Sequence, residues 1–150
     1  MRLVLSALVY LSGLLCLFLA VGFLTDPATS AAGLGIKVEG TAGLSTIRAD
    51  FTAFFGVTGA LMLWGAWRRN GDLLLVPALI YGTAFTCRAL GLAIDGTYPG
   101  FVQPMAVEAF WTVLLIAAWR VLPHHKLAEV AGWCRLLTKS VPGLLAPLQP

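Results

Sequence analysis

Apolar residues run almost unbroken through four stretches of this chain, about 3–24, 47–67, 73–94 and 104–122, and polar residues gather in the segments between them. Each run approaches or exceeds the roughly 20 residues that carry a helix across a hydrocarbon core. A helix satisfies its own backbone hydrogen bonds there, so the pattern predicts an all-α, four-helix transmembrane bundle over residues 1–122. Arg68 and Arg69 lead into Asn70-Gly71-Asp72, a tight turn that makes spans two and three an antiparallel hairpin.

After Leu122 and Pro123 the pattern changes. Leu127, Val130, Cys134, Leu137 and Val141 recur at helical spacing with Lys126, Glu129, Arg135 and Lys139 on other faces, which predicts an amphipathic interfacial helix over 123–141. Trp133 beside its apolar stripe suits the surface of the cytoplasmic leaflet or a partner subunit. The last segment, 142–150, carries Pro142, Pro147 and Pro150 and cannot continue a helix, so it is expected to be a flexible tail.

Composition narrows the class. The chain is 59% hydrophobic and 11% charged, with mean hydropathy +0.86, which excludes a disordered tail, a secreted disulfide scaffold and an ordinary soluble enzyme. A net charge of +3 looks basic, but the cations are sorted by membrane side. Arg2, Arg68, Arg69, Arg120, Lys126, Arg135 and Lys139 fall on one side; Asp26, Lys37, Glu39 and Asp95 fall on the other. The positive-inside rule puts the Asn70 turn and both termini in the cytoplasm. No basic patch interleaved with aromatics points to nucleic acid.

The first span could be read as a signal peptide, with Ala28-Thr29-Ser30 as the cleavage site. Its apolar run is longer than the roughly 7–15 residues of a secretory h-region, and an uncleaved helix leaves four spans that pair as two hairpins. The external segment Thr25 to Thr46 contains Gly33, Gly35, Gly40 and Gly43 and reads as a loop, flexible or dipping back into the interface through Leu34-Gly35-Ile36. The second external connection, Asp95 to Gly100, is dense in turn formers. Tyr98 and Phe101 beside it suit an interfacial aromatic belt, as do Trp64, Trp67 and Trp119 at the other end.

Candidate chemistry lies with the charges inside the spans: Arg48, Asp50, Arg88 and Glu108, with Asp95 at the rim. Each charge near a bilayer centre costs about 2.5–3.5 kcal/mol, so such residues pair, face the bundle or line a pathway. Asp50 lies roughly 5 Å below the outer start of its span, Glu108 about 6 Å below its own and Arg88 about 9 Å below Ile94. The spacing predicts Arg88 bridging Asp50 and Glu108, with Tyr81 as a hydroxyl deeper on the same face and Arg48 turned toward headgroups. On span three Pro77, Tyr81, Ala84, Arg88, Gly91 and Asp95 share a stripe; on span four Glu108, Thr112, Leu115 and Trp119 do. On span two, Ala49, Ala53, Gly56 and Ala60 form a predicted close-packing seam. Alternatively, the charges only fix helix register.

Other signals are weaker. His124-His125 lacks further ligands at metal spacing, so no metal site is expected and the pair reads as headgroup-facing. Cys16 and Cys87 read as small core residues. There is no CxxC, HExxH, P-loop or nucleophile elbow.

The order of Pro27, Leu34-Gly35, Arg48-Ala49-Asp50-Phe51 opening a span, Arg88 with Gly91 and Asp95, and Glu108 in the last span resembles a bacterial domain-of-unknown-function family of small four-helix membrane proteins. That family is distantly similar to DoxX-like proteins. The resemblance covers Met1 to Leu122, and the family commonly has Glu where this chain has Asp50. It implies a multi-pass protein of the bacterial inner membrane and, by analogy only, a quinone or an accessory role in a quinone-linked redox complex. Three functions follow: an accessory component binding a small anionic or carbonyl-bearing amphiphile at Arg88; a redox or proton-transfer subunit using Asp50 or Glu108; or a purely structural subunit or homo-oligomer.

Overall fold

The computed structural model describes residues 2–124. Among the described residues it contains no strand and five helices: α1 (Arg2–Thr25), α2 (Pro27–Gly33), α3 (Gly40–Arg68), α4 (Asp72–Asp95) and α5 (Val102–Val121). All but α2 are long and apolar enough to cross a membrane, the mark of a multi-pass membrane protein. The expected amphipathic helix and Pro-rich tail lie outside the described residues.

Helix ends follow the sequence closely at α1, α4 and α5 and depart from it between α1 and α3. The expected outer loop is largely helical. Asp26 caps α2, accepting a hydrogen bond from the Thr29 N–H at 3.2 Å, and Pro27 occupies the first helical turn. Hydrogen bonds from Thr29, its side chain first and then its backbone, hold the Asp26 carboxyl below its ordinary value. Pro27 and Ala31 are buried as α2 folds back onto α1 and α3. α3 then begins at Gly40, well before the apolar run, and its 29 residues reach roughly 44 Å at 1.5 Å per residue, longer than a hydrocarbon core. Its first two turns therefore stand clear of the apolar segment.

The four long helices form a ring in the order α1, α3, α4, α5. Packing is most extensive within two pairs, α1 with α3 and α4 with α5, and sparser between them. Lipid supplies no hydrophobic drive for helix association, so close backbone approach matters. Gly13 and Gly59 provide it: a Cβ on Gly59 would lie 2.9 Å from the Gly13 carbonyl oxygen, and one on Gly13 would lie 3.0 Å from that of Gly59. This corrects the predicted seam. Ala49, Ala53 and Ala60 are exposed, and Gly56 is only partly buried, with Ala20 3.7 Å from its notional Cβ. The buried face of α3 instead carries Thr58, Gly59, Met62, Gly65 and Ala66.

Aromatic rings link the two pairs. Phe23 stacks on Phe51 and Phe55, Phe55 meets Phe54 edge-on, Phe54 meets Tyr81 at 5.5 Å, and Tyr81 lies against Trp111 at 4.7 Å. The series crosses all four spans. At one end of the bundle, the turn between α3 and α4 is seated on the end of α5. The Gly71 N–H donates to the Pro123 carbonyl at 3.0 Å, and a Cβ on Gly71 would fall 2.8 Å from the Trp119 carbonyl oxygen, so only glycine allows this approach. Beside it, His124 Nδ1 lies 3.0 Å from Asp72 Oδ1, and its ring meets Trp119 edge-on. His124 thus faces the α3–α4 turn as well as the surface. His125 lies outside the described residues.

Candidate functional site

Two polar assemblies form inside the ring. One joins α4 to α5 near the end of α4. Arg88 Nε donates to both carboxylate oxygens of Glu108 at 3.2 and 3.1 Å, and Nη2 donates to Oε1 at 2.8 Å. This side-on grip uses one edge of the guanidinium. Nη1 donates to the Tyr98 hydroxyl at 3.3 Å, from the connection between α4 and α5. One N–H on each terminal nitrogen then has no protein partner among the described residues.

Local sequence explains the placement. Arg88 sits two turns before the end of α4 on the stripe that includes buried Pro77 and Tyr81, and Glu108 sits on the stripe of α5 that includes buried Leu115. One turn further along α5, Thr112 donates its hydroxyl to the Glu108 carbonyl at 2.7 Å and fills the helix face beneath the pair. The Glu108 side chain is 12% exposed and that of Arg88 37%. The acid is enclosed; the base reaches the surface.

The expected cluster is therefore smaller than its prediction. Asp50 is exposed and makes no ion pair or hydrogen bond among the described residues, because it lies about 120° around α3 from the buried Met62. Arg48 is likewise exposed, in the same N-terminal part of α3. Asp95 is exposed at the last position of α4, and Gly96 with φ 89° ends that helix. Tyr81 keeps its predicted face but belongs to the second assembly. Sequence reasoning placed Tyr98 in an aromatic belt; only the turn geometry that folds it back over Arg88 reveals it as part of the site.

That second assembly is deeper and closed. The Tyr81 hydroxyl lies 3.2 Å from Cys16 Sγ and 3.1 Å from Thr58 Oγ1, joining α1, α3 and α4. Thr58 donates back to the Phe54 carbonyl at 2.7 Å. With that proton committed, Thr58 accepts from Tyr81 and Tyr81 accepts from the Cys16 thiol, so each donor is used once. Cys16, Thr58 and Tyr81 are all within about 1% of full burial. Cys16 is the core residue expected of it. Cys87 is exposed on the outside of α4, contrary to expectation, because it follows Thr83 and Thr86 around the outward face.

Among the described residues no group of three His, Cys, Asp or Glu side chains lies close enough to hold a metal ion. What the α4–α5 assembly offers is a fixed, half-exposed guanidinium with spare donors, flanked by a phenol. Such a group can hold a carbonyl, phosphate or carboxylate oxygen. Comparison with family models, curated proteins and solved structures finds no match to the chain.

Proposed function

We propose that this chain is a small accessory protein of the bacterial inner membrane, related to DoxX-like proteins, that binds a carbonyl-bearing amphiphile at Arg88. The orientation that goes with this reading has both termini in the cytoplasm. It is supported by Arg2, Arg68, Arg69 and Arg120, which share one end of the bundle, and it leaves Arg88 in the outer half.

The observation that carries the reading is the division of Arg88 between a buried partner and an open edge. A purely structural pair would use all its donors; this one holds Glu108 along one edge and presents N–H groups beside Tyr98 along the other. Glu108 already neutralises the guanidinium. A neutral carbonyl oxygen is then a better occupant than a second carboxylate, which would leave the half-buried site with net negative charge. A quinone has the required carbonyl, and its redox chemistry would be its own; Arg88 and Tyr98 would orient one of its oxygens. A proton-transfer role would rest on Glu108, since Asp50 faces elsewhere.

The test is native mass spectrometry of the protein extracted gently from its own membrane, recording small molecules and companion chains. The expected result is a discrete carbonyl amphiphile, retained by wild type and lost on Arg88→Lys, which keeps a charge opposite Glu108 but lacks the planar fork. Equal retention by Arg88→Lys would overturn the assignment. A companion chain with no small molecule would make the protein a structural subunit instead.

A further inference from the structure

We propose that a recess at the opposite, Arg-rich end of the bundle binds the phosphate group of an acidic membrane lipid. Its volume is about 110 Å³, enough for one phosphate, and it is lined by Arg2, Leu3, Arg69, Leu122 and Pro123. Two arginines from different elements thus line one small space, Arg2 from the first turn of α1 and Arg69 from the turn after α3. Neither makes an ion pair or side-chain hydrogen bond among the described residues. Asp72, the acid nearest in sequence, lies against His124 at 3.0 Å. Among the described residues, no ion pair takes up the charge of either arginine.

Arg69 strengthens the case. It takes the left-handed conformation, φ 50°, that ends α3, with the Asn70 N–H closing onto the Gly65 carbonyl. Glycine or asparagine takes this position without strain in most helices, and both follow immediately as Asn70 and Gly71. α3 stops on arginine one residue earlier. That conformation turns Arg69 out of the α3 helix and into the recess wall.

The other wall selects the source of the phosphate. Leu3, Leu122 and Pro123 are apolar and lie where the spans end, at the depth of lipid headgroups and glycerol backbones. A soluble phosphate would leave this wall uncovered, whereas a lipid brings its glycerol and first methylenes against it. Two arginines with no acid between them among the described lining residues disfavour a zwitterionic headgroup, whose ammonium would be repelled, and favour an acidic one. This site is independent of Arg88, which lies at the other end of α4.

The experiment uses full-length protein in nanodiscs of phosphatidylcholine containing a minority of phosphatidylglycerol, with retained lipid counted by native mass spectrometry after release. Wild type should retain phosphatidylglycerol. The Arg2→Gln/Arg69→Gln double variant should retain about 25-fold less, about fivefold for each arginine near the surface. The Arg68→Gln/Arg120→Gln variant, which removes the same charge from the same end outside the recess, should retain it as wild type does. Equal loss in the two double variants would reduce the effect to diffuse surface charge and overturn the site, as would wild-type retention of phosphatidylcholine in the same proportion. Thermal stabilisation by inorganic phosphate that matches phosphatidylglycerol and vanishes in Arg2→Gln/Arg69→Gln would overturn the lipid as the source.

Discussion

The two polar assemblies inside the ring use similar elements of chemistry to opposite ends. Around Tyr81, every donor has one acceptor, the series ends on the Phe54 carbonyl, and the three side chains are sealed from the surface. Around Arg88, the acid is enclosed but the base keeps donors to spare at the surface. A closed network fixes how helices meet, whereas an incomplete one at a rim invites an outside oxygen. The charge inside the membrane is thus less informative than the count of donors left over.

This contrast can be broken experimentally. The largest effect is expected from Arg88→Ala, which leaves Glu108 enclosed without its partner. A loss of about 3 kcal/mol in detergent unfolding is expected, reduced to the extent that solvent reaches the site. Replacing both Arg88 and Glu108 with Leu should restore most of that stability while abolishing amphiphile retention. Stability unchanged by Arg88→Ala would show that the pair carries no coupling. Next in size, Tyr81→Phe should cost about 1 kcal/mol through its hydroxyl and leave amphiphile retention intact. Retention that falls with Tyr81→Phe would erase the distinction between the two assemblies.

The smallest expected effect lies outside both, at the α2 cap. Because the folded state holds Asp26 below its ordinary value of 3.8, the ionised cap stabilises α2 above that pH, and the contribution disappears as pH falls through the lower folded value. Hydrogen exchange across α2 should therefore be faster in Asp26→Ala than in wild type near neutral pH, and the difference should close in strong acid. A difference that persists undiminished in acid would mean that the carboxylate charge contributes nothing to the cap.

Spans were readable from the sequence because length and apolar content are the signals that lipid imposes. The start of α3 was not, since Gly40 and Gly43 look like loop residues and no side-chain cap marks the turn at Glu39. Depth arithmetic brought Arg88 and Glu108 together correctly, as both lie on stripes that point inward. It failed for Asp50, whose depth is similar but whose direction around α3 depends on which face packs. That face was misjudged because four small residues suggested a seam, while the contact itself is made by Gly59 against Gly13. Cys16 and Thr58 gave no local sign of their role, which exists only where three helices meet.

The grouping of helices also bears on how the chain reaches this arrangement. α1 and α3 are successive long helices with only the short α2 between them, and α4 and α5 are successive too, so each tightly packed pair can assemble as it enters the membrane. Thr58 bonds within its own helix to Phe54, and the Cys16 thiol demands little. The Tyr81 hydroxyl, on the second pair, finds both its partners on the first, so its bonds form only with the two pairs in register.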